Sequence, residues 1–316
     1  MNRAIGGYFG LETGSGNEFH TDGLRLNTGR NALEYLLISK NIEKLFIPLY
    51  TCDVLMEPIK KVGVDFEFYN IDENFEAVFE FDKIQKKDYF LYTNYFGLKG
   101  KYILTLAEKC NNLIIDNAQA FYNKPIKGTH SFYSARKFFG VPDGAYLYTD
   151  SMLDIDFETD ISYQRFEHLL RRIDISAENG YSYFLNNELL LNNLPIMKMS
   201  NLTRRILNSV NYEQVAMVRL DNFKYLDENL GNINRLSFSI GNNDIPMVYP
   251  FYSIDNRLRA KLIENKVYTP IYWPNVLNWT TDNSVERDYT QNIIHLPIDQ
   301  RIGKAELDRI LDIILN

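Results

Sequence analysis

Between residues 27 and 150 the chain alternates two hydrophobic periods, and few architectures tolerate that alternation. "NALEYLLISKN" (31–41) has helical spacing, "KLFIPLY" (44–50) is a short apolar run, "CDVLMEPIKKVG" (52–63) is helical again, and "VDFEFYNI" (64–71) is strand-like. "DYFLYTNYFG" (88–97), "KYILTLAEKC" (101–110) and "NLIIDNA" (112–118) continue the pattern. Strands separated by helices pair in parallel through crossovers, and their sheet needs cover on both faces. The expected class is α/β: a large domain built on a mostly parallel mixed sheet flanked by helices. Ligands of such sheets bind at the carboxyl ends of the strands.

From about 155 to 230 the sequence turns helical and polar, with "YQRFEHLLRRI", "NNELLLNNL", "SNLTRRILNSV" and "EQVAMVRLDNFKYLDENL". These are expected to pack outside the sheet. The remainder mixes strand-like "DIPMVYPFYS", "VYTPIYW" and "NIIHLPI" with amphipathic "DNRLRAKLIENK" and "KAELDRILDIIL", which predicts a small C-terminal α+β domain. The division expected is 1–230 for the large domain with its helical segment and 231–316 for the small one. No internal repeat or low-complexity linker separates them.

Bulk charge narrows the partners. With 34 basic and 41 acidic residues the net charge is −7, which repels a polyanionic backbone and argues against nucleic acid. There is no apolar run near the roughly 18 residues of a membrane span, and the first residues lack the apolar core of a secretory signal, so cytoplasmic residence and no membrane partner are expected. Two cysteines, Cys52 and Cys110, and four histidines without ligand spacing predict no disulfide framework and no metal site.

Three stretches carry candidate chemistry. "LNTGRNALEYLL" puts Thr28, Gly29, Arg30 and Asn31 at a helix start, where free N–H groups bind an anion such as phosphate, although Thr28 also reads as a plain N-cap. "GSGNEF" (14–19) mimics part of a dinucleotide fingerprint, but no strand precedes it. "NLIIDNAQAF" ends an apolar strand in Asp116, with Gln119 three residues on; a carboxylate there either faces a cation or a hydrogen-bonded ligand or caps the following turn. "SFYSARKFFGVPDGA" sets Ser134 three positions before Lys137 and ahead of a Gly140–Gly144 turn. A lysine is solvated in most proteins, and at the mouth of an apolar site it is a nucleophile for carbonyl chemistry.

The order of these stretches resembles a fold-type I pyridoxal-phosphate enzyme, and within that class the DegT/StrS family of sugar aminotransferases. The likeness runs through "NTGRNALEYLL", "FIPLYTCDVLMEPIKKVGVDFEFYNID", "IIDNAQA", "SFYSARKFFGVPDGA" and "LIENKVYTPIYWPN". It implies a pyridoxal 5'-phosphate cofactor with Lys137 as the Schiff-base residue, Asp116 paired with the pyridinium nitrogen and Gln119 on the ring's phenolic oxygen. Main-chain N–H groups of Gly29 and Arg30, with the hydroxyl of Ser134 or Ser131, would take the phosphate, and Arg136 would face either the phosphate or solvent. The family stacks an aromatic on the ring where this chain has Cys52, so Tyr50 or Phe96 is expected to take that place or to pack in the core. The Asp116-to-Lys137 spacing is short for the class.

The resemblance further implies a homodimer with shared sites. Asn186 and Asn187 in "ENGYSYFLNNELL" are read as a loop that reaches the neighbour's phosphate or merely lies exposed, and Tyr272, Trp273 and Asn275 as an entrance or a hinge. The implied activity is an aminotransferase that moves an amino group from an amino acid, in the family typically glutamate, to a nucleotide-linked keto sugar, in amino-sugar or surface-polysaccharide synthesis. One alternative is a non-catalytic ligand-binding or sensory protein on the same fold. Another is a sugar dehydratase, for which the family resemblance expects His where this chain has Lys137.

Overall fold

The computed structural model describes residues 5–241 and 243–316. Its main sheet contains β1 (Leu24–Leu26), β2 (Lys44–Pro48), β3 (Asp65–Ile71), β4 (Ala77–Val78), β5 (Asp88–Thr93), β6 (Leu113–Asn117), β7 (His130–Ser134) and β8 (Ala145–Tyr148). They lie in the order β1-β8-β7-β6-β5-β2-β3-β4. β3, β2, β5, β6 and β7 are parallel to their neighbours in that run, and β8, β1 and β4 close the edges antiparallel. The mixed, mostly parallel sheet matches the expectation.

Burial on both sides explains the uninterrupted apolar runs. Side chains alternate along a strand, and the central strands divide accordingly. Leu45, Ile47, Leu91 and Ile114 meet the helices α1 (Gly29–Ser39) and α2 (Met56–Val62) through Leu33, Leu36, Leu37 and Ile59. Phe46, Phe90, Tyr92 and Ile115 face the other way, onto Ile103 and Leu106 of α3 (Gly100–Lys109).

After β8 come α4 (Glu167–Asp174), α5 (Ala177–Leu190), α6 (Asn201–Leu207) and α7 (Tyr212–Leu230). The segment read as a neighbour-reaching loop is therefore a helix. Its start is set by Ser176, whose hydroxyl accepts the Asn179 N–H, and α4 packs against it. In the last part, β9 (Val248–Tyr252) and β10 (Ile293–Pro297) pair antiparallel, with α8 (Leu258–Glu264), α9 (Val276–Trp279), α10 (Val285–Asn292) and α11 (Lys304–Leu315) around them. "VYTPIYW" forms no strand. Pro270 and Pro274 supply no ladder donor, and Trp273 sits at φ 56°, outside extended geometry. The core facing α3 continues without a break into β9, β10, α8 and α11. Among the described residues no helix is long and apolar enough to cross a membrane.

One backbone device positions the strand ends that matter below. Phe96 and Gly97, just past β5, take φ values of 58° and 74°, which turn the chain so that the Phe96 N–H donates to Oε1 of Gln119 at 3.0 Å. A Cβ on Gly97 would approach the Ile245 carbonyl oxygen to 2.9 Å and that of Gln119 to 3.1 Å. Gly97→Ala should therefore lower stability by roughly 1–3 kcal/mol, read from the urea midpoint. An unchanged midpoint would show that the turn relaxes freely.

Candidate active site

The parallel strands β2, β5, β6 and β7 run the same way, so their carboxyl ends lie along one edge. Tyr50–Cys52 follows β2, Asp116 is the fourth residue of the five in β6, and Ser134–Lys137 follows β7. Thr28 opens α1 against β7 and β8. Residues up to 109 positions apart in sequence meet here because each closes one crossover unit.

Thr28 is indeed an N-cap. Its Oγ1 accepts the Asn31 N–H at 3.1 Å and donates to Asn31 Oδ1 at 2.6 Å. The Gly29 and Arg30 N–H groups occupy the first turn, where no carbonyl within the helix can reach them. A Cβ on Gly29 would meet only Phe132, at 3.9 Å, so the helix end opens onto free space. The Arg30 side chain points elsewhere, donating to Glu57 Oε2 at 3.1 Å, Leu191 O at 3.1 Å and Asn192 Oδ1 at 2.6 Å. Only its main chain is available at the helix end.

Strand alternation separates the two serines. Ser134 shares the α1 side of β7 with Phe132, whereas Ser131 lies on the opposite face and donates to Tyr133 Oη at 3.3 Å. Ser131 is thus held within the sheet, away from the Gly29 end. Ser134 is half-buried.

Asp116 is 7% exposed. One oxygen accepts the Ala118 N–H at 2.8 Å, so it does form the turn-capping contact, yet no cation reaches it within ion-pair distance among the described residues. Burial pushes its carboxyl up to about 6, against the opposing pull of the Ala118 N–H and the Lys137 charge. Gln119, also buried, uses its carbonyl oxygen on Phe96, which leaves its NH₂ as a donor.

Lys137 is exposed, and its Nζ lies 5.9 Å from the centre of the Tyr272 ring. Arg136 turns the other way and ion-pairs with Glu188 of α5, so neither alternative expected for it, phosphate or solvent, is its main contact. Cys52 is half-buried beside these groups. Burial pushes its thiol above the ordinary range, while the Lys137 charge pulls it down and Asp116 adds to the rise.

The two aromatic substitutes for ring stacking are core residues. Tyr50 is 0% exposed, stacked on Tyr95 at 5.6 Å and edge-on to Trp273 at 4.7 Å, with its hydroxyl unpartnered. Phe96 is equally buried, among Phe75, Tyr272 and His295. Both rings are covered on every side by protein. Cys52 remains at the place where the family resemblance expected an aromatic.

Asn187 is buried in α5 and donates to Pro142 O at 3.2 Å, whereas Asn186 is exposed on the same helix. Tyr272 lines a cavity with Lys137. Trp273 packs on Tyr50, and Asn275 donates to Thr51 O at 2.9 Å, tying its segment to the β2 end. Arg219, His295, Gln300 and Arg301 are among the lining residues that escaped the sequence reading. Gln300 donates to Phe138 O at 2.9 Å, beside Lys137. Nothing local in their sequence marks them, since they are brought in by the packing of α7, of β10 and of the loop after it.

The sequence matches no family profile, and no curated protein matches it. Solved structures do. A DegT DnrJ EryC1 StrS aminotransferase from Brucella abortus is 17% identical, with a TM-score of 0.63, over 92% of this chain and 84% of that one. The sugar aminotransferase CalS13 from Micromonospora echinospora is 12% identical, with a TM-score of 0.59, over 92% and 86%. Ntda from Bacillus subtilis with bound cofactor PMP is 14% identical, with a TM-score of 0.61, over 92% and 72%. The chain has the fold of these aminotransferases.

The sign of the Asp116 shift gives a test. A carboxyl raised from 3.8 to about 6 holds its proton more tightly in the folded chain, so stability falls as pH rises across that window. The deficit is complete above it. Asp116→Asn, which still accepts the Ala118 N–H, should be more stable than the parent at pH 8 by up to about 3 kcal/mol, at about 1.36 kcal/mol per pKa unit. Urea midpoints at pH 8 and pH 4 check this: the gap should close at pH 4, and equal stability at both would remove the raised carboxyl.

Proposed function

We propose that the protein is a pyridoxal-phosphate-dependent aminotransferase. The observation that carries the reading is a buried carboxylate without a cation, Asp116, electrostatically coupled to the exposed amine of Lys137 on the edge where α1 presents free N–H groups. These residues fit the cofactor. The α1 end with Ser134 suits a phosphate, Asp116 suits a protonated ring nitrogen, and the Gln119 NH₂ suits a phenolic oxygen. Cys52 makes a smaller wall than an aromatic would.

When bound, the cofactor supplies an electron sink for charge developing at the donor's α-carbon. Asp116 keeps the ring nitrogen's proton in place, an interaction strengthened by its burial. Lys137 Nζ is the amine that would hold the cofactor covalently, and as a free amine it would be the base to take the α-proton. The Tyr272 ring beneath it limits where the amine can swing. Purified protein with cofactor should absorb in the visible, and borohydride should fix a pyridoxyl group on Lys137 in peptide maps. Lys137→Ala should lose the band's covalent fixation and reduce transamination at least about a thousandfold. A label found on another lysine would defeat this assignment.

The finer reading is an amino acid donor, glutamate first, and a keto-sugar acceptor carried on a nucleotide, in amino-sugar or surface-polysaccharide synthesis in the cytoplasm. The fold of CalS13 and ntda supports the sugar. It includes residues 1–230 and 231–316 as two domains, supported by the separate β9–β10 sheet. It also includes a homodimer whose second copy covers the α4–α5 pair. Ile173 is 80% and Leu189 68% exposed there, and Glu188 on the same helix holds Arg136 beside the site. Leu189→Glu should shift sedimentation from dimer to monomer; a wild-type monomer would refute the shared site.

A further inference from the structure

The cavity of about 580 Å³ lined by Lys137 and Tyr272 also takes in Arg136, Arg172, Arg219 and Arg301, against a single carboxylate, Asp299. Three of these arginines have an outlet for their charge. Arg301 holds both oxygens of Asp299, at 2.7 and 2.9 Å, and Arg136 pairs with Glu188. Arg172 is exposed to water, although partial burial and the charge of Arg301 lower it from its ordinary value. Arg219 of α7 has no such outlet. It is 2% exposed, no carboxylate stands within ion-pair distance of it among the described residues, and burial lowers it to about 10. A cation sealed in this way costs stability, so what it contributes lies in the contacts it makes.

Its Nε is unpartnered, but its two terminal nitrogens are directed at two different parts of the site. Nη2 donates to Gln300 Oε1 at 3.2 Å, and Gln300 Nε2 donates to the carbonyl of Phe138, the residue after Lys137, at 2.9 Å. The guanidinium carbon also lies 4.6 Å from the centre of the Phe138 ring. In the other direction Nη1 donates to Met247 O at 2.9 Å. The Met247 N–H donates to Phe96 O at 2.9 Å, and the Phe96 N–H donates to Gln119 Oε1 at 3.0 Å. One bonded path therefore runs from the turn that carries Lys137 to the side chain of Gln119, with Arg219 at its centre.

Both ends of that path have little regular structure of their own. Lys137 closes a single helical turn, Ala135–Lys137, and Phe96 and Gly97 stand at positive φ. Such segments hold one conformation only when the surroundings impose it. A guanidinium suits the task because its donors form a rigid planar fork, whereas a lysine amine is a single point with freely rotating donors. We propose that Arg219 is a positioning residue, which fixes the Lys137 turn relative to Gln119 by acting through Gln300, Phe138 and Met247. This rests on the aminotransferase reading only for what Lys137 and Gln119 hold between them.

The test is amide hydrogen exchange of the full chain, read by mass spectrometry without cofactor. Arg219→Met should speed exchange at least about tenfold in both 94–98 and 135–139 while leaving 44–48 and 113–117 unchanged. Arg219→Lys, which keeps the charge but not the fork, should restore at most one of the two segments. Gln300→Ala should loosen 135–139 alone, because the arm to Met247 remains; this variant decides the matter if Arg219→Met does not fold. Exchange unchanged in both segments, exchange faster throughout the chain, or full restoration by lysine would overturn the proposal. With pyridoxal 5'-phosphate added, Arg219→Met should attach it to Lys137 at least about tenfold more slowly by borohydride trapping, and equal rates would also overturn it. The two readings fail separately. A parent chain that never loads the cofactor, with both segments loosened by Arg219→Met, leaves the path standing and sinks the aminotransferase. Normal loading of the parent with no loosening in the variant does the reverse.

Discussion

A carboxylate sealed at the end of a central parallel strand is costly unless something positive stands near it. Asp116 meets that condition only in part. It has one N–H donor, from Ala118, and the field of Lys137, and its carboxyl stays raised to about 6. The strands on either side, β5 and β7, cannot retreat from it, because each is locked in parallel register to β6. The fold therefore keeps a charge poised at the edge where α1 also presents unpaired N–H groups. A ligand with a cationic ring nitrogen and an anionic tail would satisfy both at once, and the proposed cofactor has that form.

The wall facing that edge is built from the other end of the chain. Tyr272 lies under the Lys137 amine, Gln300 holds the carbonyl of Phe138, and Asn275 holds that of Thr51. These contacts join the β9–β10 lobe to the strand ends without a separate core between them. Movement of one part against the other would disturb the surroundings of Lys137 directly. The unbalanced arginines lie along the same seam, on α4, α7 and the loop after β10.

How much could be read in advance depended on how local the cause was. The strands around 44–48, 88–93 and 113–117 were legible because burial on both faces demands continuous apolar runs. The strand-end positions of Asp116, Ser134 and Lys137 were legible, and strand ends are where α/β sheets place their ligands. Tyr50 stayed open between two readings: an aromatic after β2 looks the same whether it covers a ligand or packs on Tyr95 and Trp273, and the choice depends on Trp273, more than 200 positions away. "ENGYSYFLNNELL" was read as a loop from the family resemblance, yet it lies in α5 and Asn187 is buried with a bond to Pro142 O. "VYTPIYW" has strand residues, but Pro270 within it and Pro274 just after it supply no ladder donor.

By itself the sequence determined the α/β class and the strand ends, since periodicity and strand termination are set by neighbours a few positions apart, while Asp116, Gln119 and Lys137 came together as a candidate set only through the family resemblance. Tertiary structure alone decided that Ser134 rather than Ser131 shares the face of the α1 end, that Cys52 and not Tyr50 borders the site, and that Arg172 and Arg301 crowd together. Those outcomes depend on which side of a sheet a residue faces and on how distant helices pack over it, and no local pattern encodes either.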